Sequence, residues 1–359
     1  MRIALLGDIA LIGRYDRTVS PDVSKRVSAV RDITRSCDYV IGNLETPFTQ
    51  KNTTRACKGV YLKSDPVNVD TLKEMGVTHV SLANNHLFDY GMRGAEETCQ
   101  TLKSAGIESV GLCNPPAELS ADGERALVDG FCCLSANALG YGERSGRVQM
   151  LNDRMITRFL QRSQEKNCFP IISAHFGLEG LHFPAREHIG FFRKYANEFP
   201  LILHGNHPHA IQGYEQVNQS LLIYAQGNLC FDEVSTTSIN SIPKEQPEER
   251  KTYISVVEIQ NGMIASHDVF PLSDLSREGL ETNNSISEEL DYYCEALKRP
   301  LPEIEEMRRQ EQKQQKDAAQ KRDLKFYTDR LNYRYVGAFL NGKKHAKAYR
   351  KSFCEYMKD

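Results

Sequence analysis

Short apolar runs alternate with amphipathic segments along most of the chain up to about residue 230. The apolar runs predict strands at residues 2–6, 39–41, 77–82, 107–112, 169–174, 200–203 and 220–226. Apolar positions at helical spacing predict helices between them, at residues 22–36, 67–75, 92–105, 152–166 and 184–199. Strands alternating with helices in this way predict an α/β fold.

Two turn dipeptides interrupt this alternation. The Asp-Gly pair at 129–130 lies between apolar segments within 126–134, and the Asn-Gly pair at 261–262 lies midway along an apolar pattern at 252–270. Both dipeptides favour two-residue hairpin turns. We therefore predict paired strands in a second layer, and a hairpin at a sheet edge around residue 261.

Polar chemistry follows at the ends of the predicted strands, most clearly in the stretch 80–91, VSLANNHLFDYG. Ligands of open α/β sheets collect outside the carboxyl ends of strands. Asn85 and His86 offer an oxygen and a nitrogen to a metal or a substrate, and Asp89 is placed to orient one of them. The alternative is an ordinary strand-to-helix turn in which Asn is a cap.

Six strand ends share this character. They present Asp8, Glu45, Asn85 with His86, His175, His207 with His209, and Asn228. A lone histidine in a loop is more often structural than a ligand, so the prediction depends on their joint occurrence. Imidazoles and carboxylates at one sheet edge are ligands for zinc, manganese or iron. The absence of a thiol from this group favours a water-activating centre over a structural one.

The His-x-His segment adds a geometric expectation. Pro208 cannot continue a helix and favours an extended backbone, which would send His207 and His209 to the same side, one for each of two neighbouring ions. Arg14 follows Asp8 closely and could direct its guanidinium into the cleft, where it would bind a phosphate or carboxylate. A surface arginine is the alternative.

Composition narrows the class of protein. With 359 residues, 40% hydrophobic and 26% charged, the chain is typical of globular proteins, and its formal charge of −2 argues against a nucleic-acid-binding surface. No long apolar span and no signal peptide are recognisable, so we expect a cytoplasmic protein without a membrane span. Ten scattered cysteines without a CxxC pair predict reduced, mostly buried thiols.

Three segments differ from the rest of the chain. Residues 51–63 form a basic excursion that includes Arg55, Lys58 and Lys63, and residues 233–250 are predicted to be a long loop. From residue 285 charged residues dominate, with a solvated helix predicted at 303–325 and a basic stretch at 343–351. We expect a main domain at 1–275 and a charged helical C-terminal extension at 285–359, which packs on the main domain or mediates assembly.

The strand-end motifs carry a resemblance to a known family. GD at 7–8, GNLE at 42–45, ANNHxxDxG at 83–91, HFGLE at 175–179, GNHPHAIQGYE at 205–215 and IYAQGN at 223–228 resemble the CapA family. These are bacterial capsule and poly-γ-glutamate biosynthesis proteins related to calcineurin-like metallophosphoesterases. The resemblance covers about residues 1–275 and leaves the C-terminal extension outside.

This resemblance implies a four-layer α/β/β/α sandwich that binds one or two divalent ions, Mn, Zn or Fe. Carried over by position, Asp8 and His209 would hold one ion, Asn85, His175 and His207 the other, and Glu45 would bridge the two. His86 would serve as general acid or orient the leaving oxygen, and Asp89 would support it. Glu179 would either support a ligand or face the substrate, and Asn228 and the separately inferred Arg14 are the other candidates for substrate binding.

Two departures from the family pattern affect the functional expectation. Ala10 stands where calcineurin-like enzymes carry the histidine of Asp-x-His, and Glu45 stands where they carry an aspartate. The first hypothesis is a metal-dependent phosphoesterase with an anionic small-molecule or polymer substrate; hydrolysis of a γ-glutamyl amide is a variant of it. The second is a non-catalytic accessory protein with a degraded site, which would use the C-terminal extension to form a homo-oligomer or to bind the capsule machinery.

Overall fold

The computed structural model describes residues 1–53, 61–112, 115–133, 148–232 and 247–318, together with positions 340, 343, 347, 351 and 355. The predictions for Arg55, Lys58, most of the 233–250 loop and the greater part of the chain beyond 318 lie outside these residues.

The described strands and helices follow the predicted alternation. The strands are β1 (Arg2–Ile9), β2 (Tyr39–Leu44), β3 (His79–Ser81), β4 (Glu108–Val110), β5 (Ala117–Ala121), β6 (Glu124–Cys132), β7 (Phe169–His175), β8 (Ile202–Asn206), β9 (Tyr214–Val217), β10 (Ser220–Ile223), β11 (Asn228–Cys230), β12 (Lys251–Gln260), β13 (Met263–Ser273) and β14 (Glu281–Thr282). The α-helices are α1 (Val23–Arg26), α2 (Ser28–Thr34), α3 (Val69–Glu74), α4 (Gly91–Ser104), α5 (Asp153–Glu165), α6 (Arg186–Glu198), α7 (Ser285–Leu297) and α8 (Leu301–Ala318). Short 3₁₀ turns lie at Gly13–Tyr15, Pro66–Asn68 and Pro247–Arg250.

These strands form two sheets. The first has the order β14-β13-β12-β1-β2-β3-β4, and β11 also pairs with β1. The second has the order β5-β6-β7-β8-β10-β9. In each sheet the central strands that lead into the polar motifs run parallel, so their carboxyl ends lie at one edge.

The two sheets pack face to face, with helices outside. Alternate residues of a strand point to opposite faces. Ile3 and Leu5 of β1 join Ile171 of β7 in one buried cluster, which contains side chains of both sheets. Their neighbours Ala4 and Ile172 belong to a second cluster that includes the buried faces of the helices. This arrangement is the predicted α/β/β/α sandwich.

The chain crosses from one sheet to the other beside the predicted site. β10 pairs with β8 in the second sheet, whereas β11, four residues further on, pairs with β1 in the first sheet through the Asp8–Asn228 register. The sequence pattern predicted a single strand at 220–226 and missed this switch. Because of it, Asn228 lies beside Asp8.

The hairpin predictions had different outcomes. Asn261 and Gly262 adopt positive φ values of 53° and 67° between β12 and β13, as a type I′ turn requires. The hairpin predicted at the Asp-Gly pair 129–130 is wrong, because that pair lies inside β6. The turn is formed by Asp122 and Gly123, with φ values of 53° and 80°.

The C-terminal helices pack on the sandwich. Ile286 and Leu290 of α7 join the cluster between the sheets, and Ile304 of α8 joins the helix-facing cluster. Beyond Glu305, α8 is largely exposed, as the charged composition predicts. In the part of the chain that the structure describes, none of the helices is both long and apolar enough to cross a membrane.

Candidate metal centre

The first sheet contributes two buried carboxylates. Asp8 is the penultimate residue of β1, and Glu45 follows β2 directly, with its backbone N–H donating to the Ile9 carbonyl (2.9 Å). Asn43 of β2 donates through Nδ2 to Asp8 Oδ1 (2.7 Å). Burial raises the pKa of Asp8, although His209, the His207 N–H and Asn43 oppose the rise. Burial therefore disfavours the charged form of Asp8 unless a positive group lies beside it.

His175, at the end of β7, meets this pair from the second sheet. Its Nε2 lies 3.3 Å from Glu45 Oε1 and 3.1 Å from Asn85 Oδ1, and its Nδ1 lies 3.2 Å from Asn43 Nδ2. The imidazole is buried, with 1% of its surface exposed. His175 thus contacts two other predicted ligands, Glu45 and Asn85.

His207 and His209 follow β8, and their rings lie 6.0 Å apart. The extended backbone predicted for this segment is wrong, since φ is 101° at His207 and 58° at His209. The backbone N–H of His207 donates to Asp8 Oδ2 (2.9 Å), which fixes the turn against the first sheet. The imidazoles converge because of this strained turn, not because of strand alternation.

His209 lies among three carboxylates and is tied to Asn228. Its Nδ1 donates to Asn228 Oδ1 (2.8 Å), and its Nε2 lies 3.8 Å from Glu45 Oε2. Burial alone would lower the pKa of His209, but Glu45, Asp8, Glu179 and the Asn228 hydrogen bond outweigh it and raise the pKa to about 9. The surroundings of this ring therefore favour a positive charge.

His86 and Asp89 form a separate buried pair beside Asn85. His86 Nδ1 donates to Asp89 Oδ2 (2.8 Å), which also accepts the Leu62 backbone N–H (2.7 Å). Asn84 braces the turn: its Nδ2 donates to the Leu44 carbonyl (2.7 Å), and its Oδ1 accepts the His86 N–H (3.0 Å). This bracing fixes the His86 turn to the residue that precedes Glu45.

Arg14 and Glu179, both predicted to face the substrate, have different surroundings. Arg14 binds Asp232 (2.7 Å through its backbone N–H and 3.0 Å through the guanidinium) and Asp274 (2.7 Å). The geometry therefore gives no support to its predicted role. Glu179 is exposed, and its carboxylate lies within 4.8 Å of ligand atoms of His207 and His209. Asn228, the third such residue, holds His209 and donates to the Glu249 carbonyl (3.0 Å).

Two residues of this region were missed by the sequence reasoning. Asn43 bridges Asp8 and His175 across the sheets, although it lies within the GNLE motif that drew attention to Glu45. Asp232 forms an ion pair with the Arg14 guanidinium. The signal for Asn43 was an amide in an otherwise apolar strand; nothing local distinguishes Asp232.

The donors of this centre suit a divalent cation. Two triads, Asp8–Glu45–His209 and Glu45–His175–His207, each bring three ligand atoms within 4.8 Å of one another. The five residues of these triads lie at strand ends of both sheets. Their ligand atoms are carboxylate oxygens and imidazole nitrogens, which manganese, zinc and iron bind. Glu45 belongs to both triads, with Oε1 towards His175 and Oε2 towards His209.

Sequence comparison identifies the family of the chain. Residues 2–233 match the family described as bacterial capsule synthesis protein, PGA_cap. The chain belongs to this family.

Its relatives include proteins named for capsule and polymer synthesis. The capsule biosynthesis protein CapA of Bacillus anthracis is 26% identical over 259 residues, which are 67% of this chain and 62% of that protein. The PGA biosynthesis protein CapA of Bacillus subtilis is 27% identical over 248 residues, 66% of this chain and 65% of that one. A Mycobacterium tuberculosis relative named as a polyglutamine synthesis accessory protein is 23% identical over 252 residues, 66% of each chain. The chain spans less than two thirds of the first two relatives.

Solved structures with a similar arrangement include the calcineurin-like phosphoesterase YfkN of Bacillus subtilis, with 12% identity and a TM-score of 0.44, covering 85% of this chain and 98% of that one. NAD nucleotidase of Haemophilus influenzae gives 12% identity and a TM-score of 0.42, with coverage of 83% and 55%. These similarities carry no conclusion about activity.

Proposed function

We propose that this protein is a metal-dependent hydrolase of a phosphoester in the synthesis of a bacterial capsule or a poly-γ-glutamate-like surface polymer. The observation that carries the proposal is the pair of triads that share Glu45. Burying two carboxylates among three imidazoles costs desolvation free energy, which a purely structural role would not require. Family membership supports the biological setting of the proposal.

The ligands divide between two ion positions in this proposal. Asp8 and His209 would hold one divalent ion, His175, His207 and Asn85 the other, and Glu45 would contact both. Manganese, zinc or iron bound here would supply Lewis acidity and lower the pKa of a water molecule. Asn43 keeps Asp8 and His175 in place, and Asn228 fixes the orientation of His209.

His86 would transfer a proton to the leaving oxygen. Since its Nδ1–H donates to Asp89, Nε2 is the nitrogen that carries or releases the catalytic proton. Asp89 is 0% exposed and also accepts the Leu62 N–H, so its orientation is fixed. The pair therefore has the geometry of a histidine held in one tautomer by a buried carboxylate.

The experiment combines metal analysis with an activity screen. Protein reconstituted with Mn²⁺ or Zn²⁺ should retain metal and hydrolyse a chromogenic phosphodiester or phosphomonoester. His86→Ala should retain metal and lose at least about a hundredfold in kcat. His267→Ala, in β13 and remote from the centre, is the matched control. Absence of metal after reconstitution would contradict the proposal.

An accessory role is the second candidate, and a specific observation favours it. Ala10, buried beside the centre, offers no ligand where related enzymes carry a histidine. A chain with fewer ligands could bind an anionic polymer through its metal without hydrolysing it. Metal binding without activity on a wide ester and γ-glutamyl amide panel, or activity unchanged in His86→Ala, would support this role over hydrolysis.

The location of the protein in the cytoplasm stays a prediction.

A further inference from the structure

The loop that carries Glu179 lies between the metal centre and the C-terminal helices. It follows β7 and spans residues 176–183. Glu179 is the exposed acid of the centre, with its carboxylate within 4.8 Å of ligand atoms of His207 and His209. An exposed side chain on a loop has many conformations, and holding it at a cation costs conformational entropy unless the loop is fixed. The contacts that fix this loop therefore determine how firmly Glu179 is held at the centre.

One side of the loop is tied to the histidine turn. The Gly180 N–H donates to the Pro208 carbonyl (2.7 Å), between His207 and His209. Gln212 Nε2 donates to the Leu181 carbonyl (2.8 Å), and His182 Nδ1 donates to the Ile211 carbonyl (2.8 Å). These bonds connect the loop to the segment that follows β8.

The other side is held by α7 and α8. Both carboxylate oxygens of Glu311 accept the His182 N–H (3.0 and 3.1 Å), and Gln315 Nε2 donates to the Gly180 carbonyl. The His182 ring stacks on Tyr293 of α7, 4.7 Å between centroids and 5° between planes. Ile304, fully buried at the start of α8, anchors the helix to the sandwich.

We propose that α8 positions Glu179 for the metal centre through Glu311 and Gln315, so that a helix beyond the family-matched residues 2–233 completes the site. This inference rests on the proposed function, since it requires the centre to bind a cation. Glu311 and Gln315 are positioning residues: they bind the backbone on either side of Leu181 and fix the loop. Glu179 is the group that they present.

The test measures Mn²⁺ affinity of the full chain by isothermal titration calorimetry. We expect Glu311→Ala to weaken Mn²⁺ binding about tenfold, the size typical of residues that orient ligands. Glu311→Gln keeps one acceptor oxygen for the His182 N–H and should restore most of the affinity. Gln315→Leu should weaken binding less than Glu311→Ala. Glu303→Ala and Gln314→Ala, exposed on the same helix, should bind as the wild type does.

A double-variant cycle separates positioning from a general loss of structure. Glu179→Ala should weaken binding about as much as Glu311→Ala. The double variant should bind no more weakly than Glu179→Ala, because Glu311 acts only through Glu179. Multiplicative losses, or wild-type affinity in Glu311→Ala, would overturn the inference while leaving the metal centre standing. A wild-type chain that binds no Mn²⁺ would overturn the proposed function, and this inference with it.

Discussion

Glu45 is the residue at which the two halves of the proposed centre meet. Its backbone follows β2 directly, whereas its two oxygens face imidazoles at strand ends of the second sheet, His175 at 3.3 Å and His209 at 3.8 Å. No other residue of the described chain belongs to both the Asp8 and the His175 triads. In the proposed centre, Glu45 would therefore be the ligand common to both ion positions.

Asp89→Asn tests whether the tautomer of His86 matters. Both N–H groups donate to the same oxygen of Asp89, and an asparagine oxygen could accept both, but asparagine carries no charge and its NH2 can instead donate to His86 Nδ1, which favours the other tautomer. We expect kcat to fall by about tenfold or more on the ester found in the screen, with little change in KM. Metal content serves as the control. Equal activity in this variant would remove Asp89 from the proposed mechanism.

A second residue-scale prediction concerns His188, which lies on α6 away from the ligands. Burial lowers the pKa of His188 to about 4, against 6.5 in an unfolded chain, and the ring packs edge-on against Phe176 (4.8 Å). Between pH 4 and pH 6.5 the unfolded chain binds a proton at His188 more tightly than the folded chain does. The contribution of His188 to the free energy of unfolding is therefore fully present above pH 6.5 and is lost as the pH falls towards 4.

The measurement is urea unfolding at pH 7.5 and pH 5. A pKa lowered from 6.5 to about 4 corresponds to a loss of about 2 kcal/mol at pH 5 from His188 alone. His188→Phe keeps a ring of similar shape and cannot titrate, so its stability should fall less over this range. His204 and His267, also buried with pKa values of about 4, remain in both proteins. Equal pH dependence would contradict the argument.

At the scale of elements, the strand β8 is constrained by its neighbour. A Cβ added at Gly205 would lie 2.0 Å from the Tyr224 carbonyl oxygen, a backbone atom that cannot move without disturbing β10. Gly205→Ala should therefore destabilise the protein by several kcal/mol, about 3 or more. It should also weaken metal binding, because His207 lies two residues further on. Thermal unfolding and Mn²⁺ titration of this variant are the measurements. Gly123→Ala, whose added Cβ has open space but stands at a φ of 80°, shows the cost of the left-handed backbone without a clash and should keep metal binding.

The elements show which sequence signals were sufficient. Continuous apolar runs located the parallel strands, because these are buried on both faces, and apolar positions at helical spacing located the helices, because these bury one face. The Asp-Gly signal was ambiguous, since it occurs at 122–123 in a turn and at 129–130 in a buried strand. In the second case Asp129 Oδ1 accepts the Gly111 N–H (3.1 Å), a contact between chain segments that no local pattern contains.

The sequence indicated which residues lie together at the candidate site but not how they are arranged. Strand ends indicated Asp8, Glu45 and the histidines, because parallel strands bring their carboxyl ends together. The left-handed turn at His207 could not be predicted, since the tertiary bond from its N–H to Asp8 stabilises it. Arg14 shows the same limit: its carboxylate partners are more than 200 residues away in sequence, at Asp232 and Asp274.

For the whole molecule, the centre connects the two sheets. Asp8 and Glu45 lie at strand ends of the first sheet, and His175, His207 and His209 at strand ends of the second. A bound cation would therefore stabilise the sandwich as a whole, by about 2.7 kcal/mol when present at about 100 times its Kd. We expect Mn²⁺ to raise Tm by several degrees in differential scanning calorimetry. Glu45→Gln should lose this increase, and Mg²⁺, which prefers octahedral oxygen ligands, should give a smaller one.

The position of β1 has one more consequence. β12 pairs antiparallel with β1 over Arg2–Leu5, and Ile3 and Leu5 pack in the cluster that also contains Tyr253 and Val257. The family-matched residues end at 233, before β12 begins. A chain cut after residue 233 should therefore expose the edge of β1 and fail to fold cooperatively, which circular dichroism and limited proteolysis would show. A cut after residue 318 should leave the folded core intact.

The same pairing sets an order of events during synthesis. A ribosome releases the N-terminal strand first, yet its partner is about 250 residues behind it and emerges later, at about 5–20 residues per second. Until then β1 has an open edge, and contacts over so long a separation form slowly. Asp8, at the end of that strand, joins its histidines only when nearly the whole sandwich has been made. The residues of the proposed centre can therefore come together only after His209 has left the ribosome.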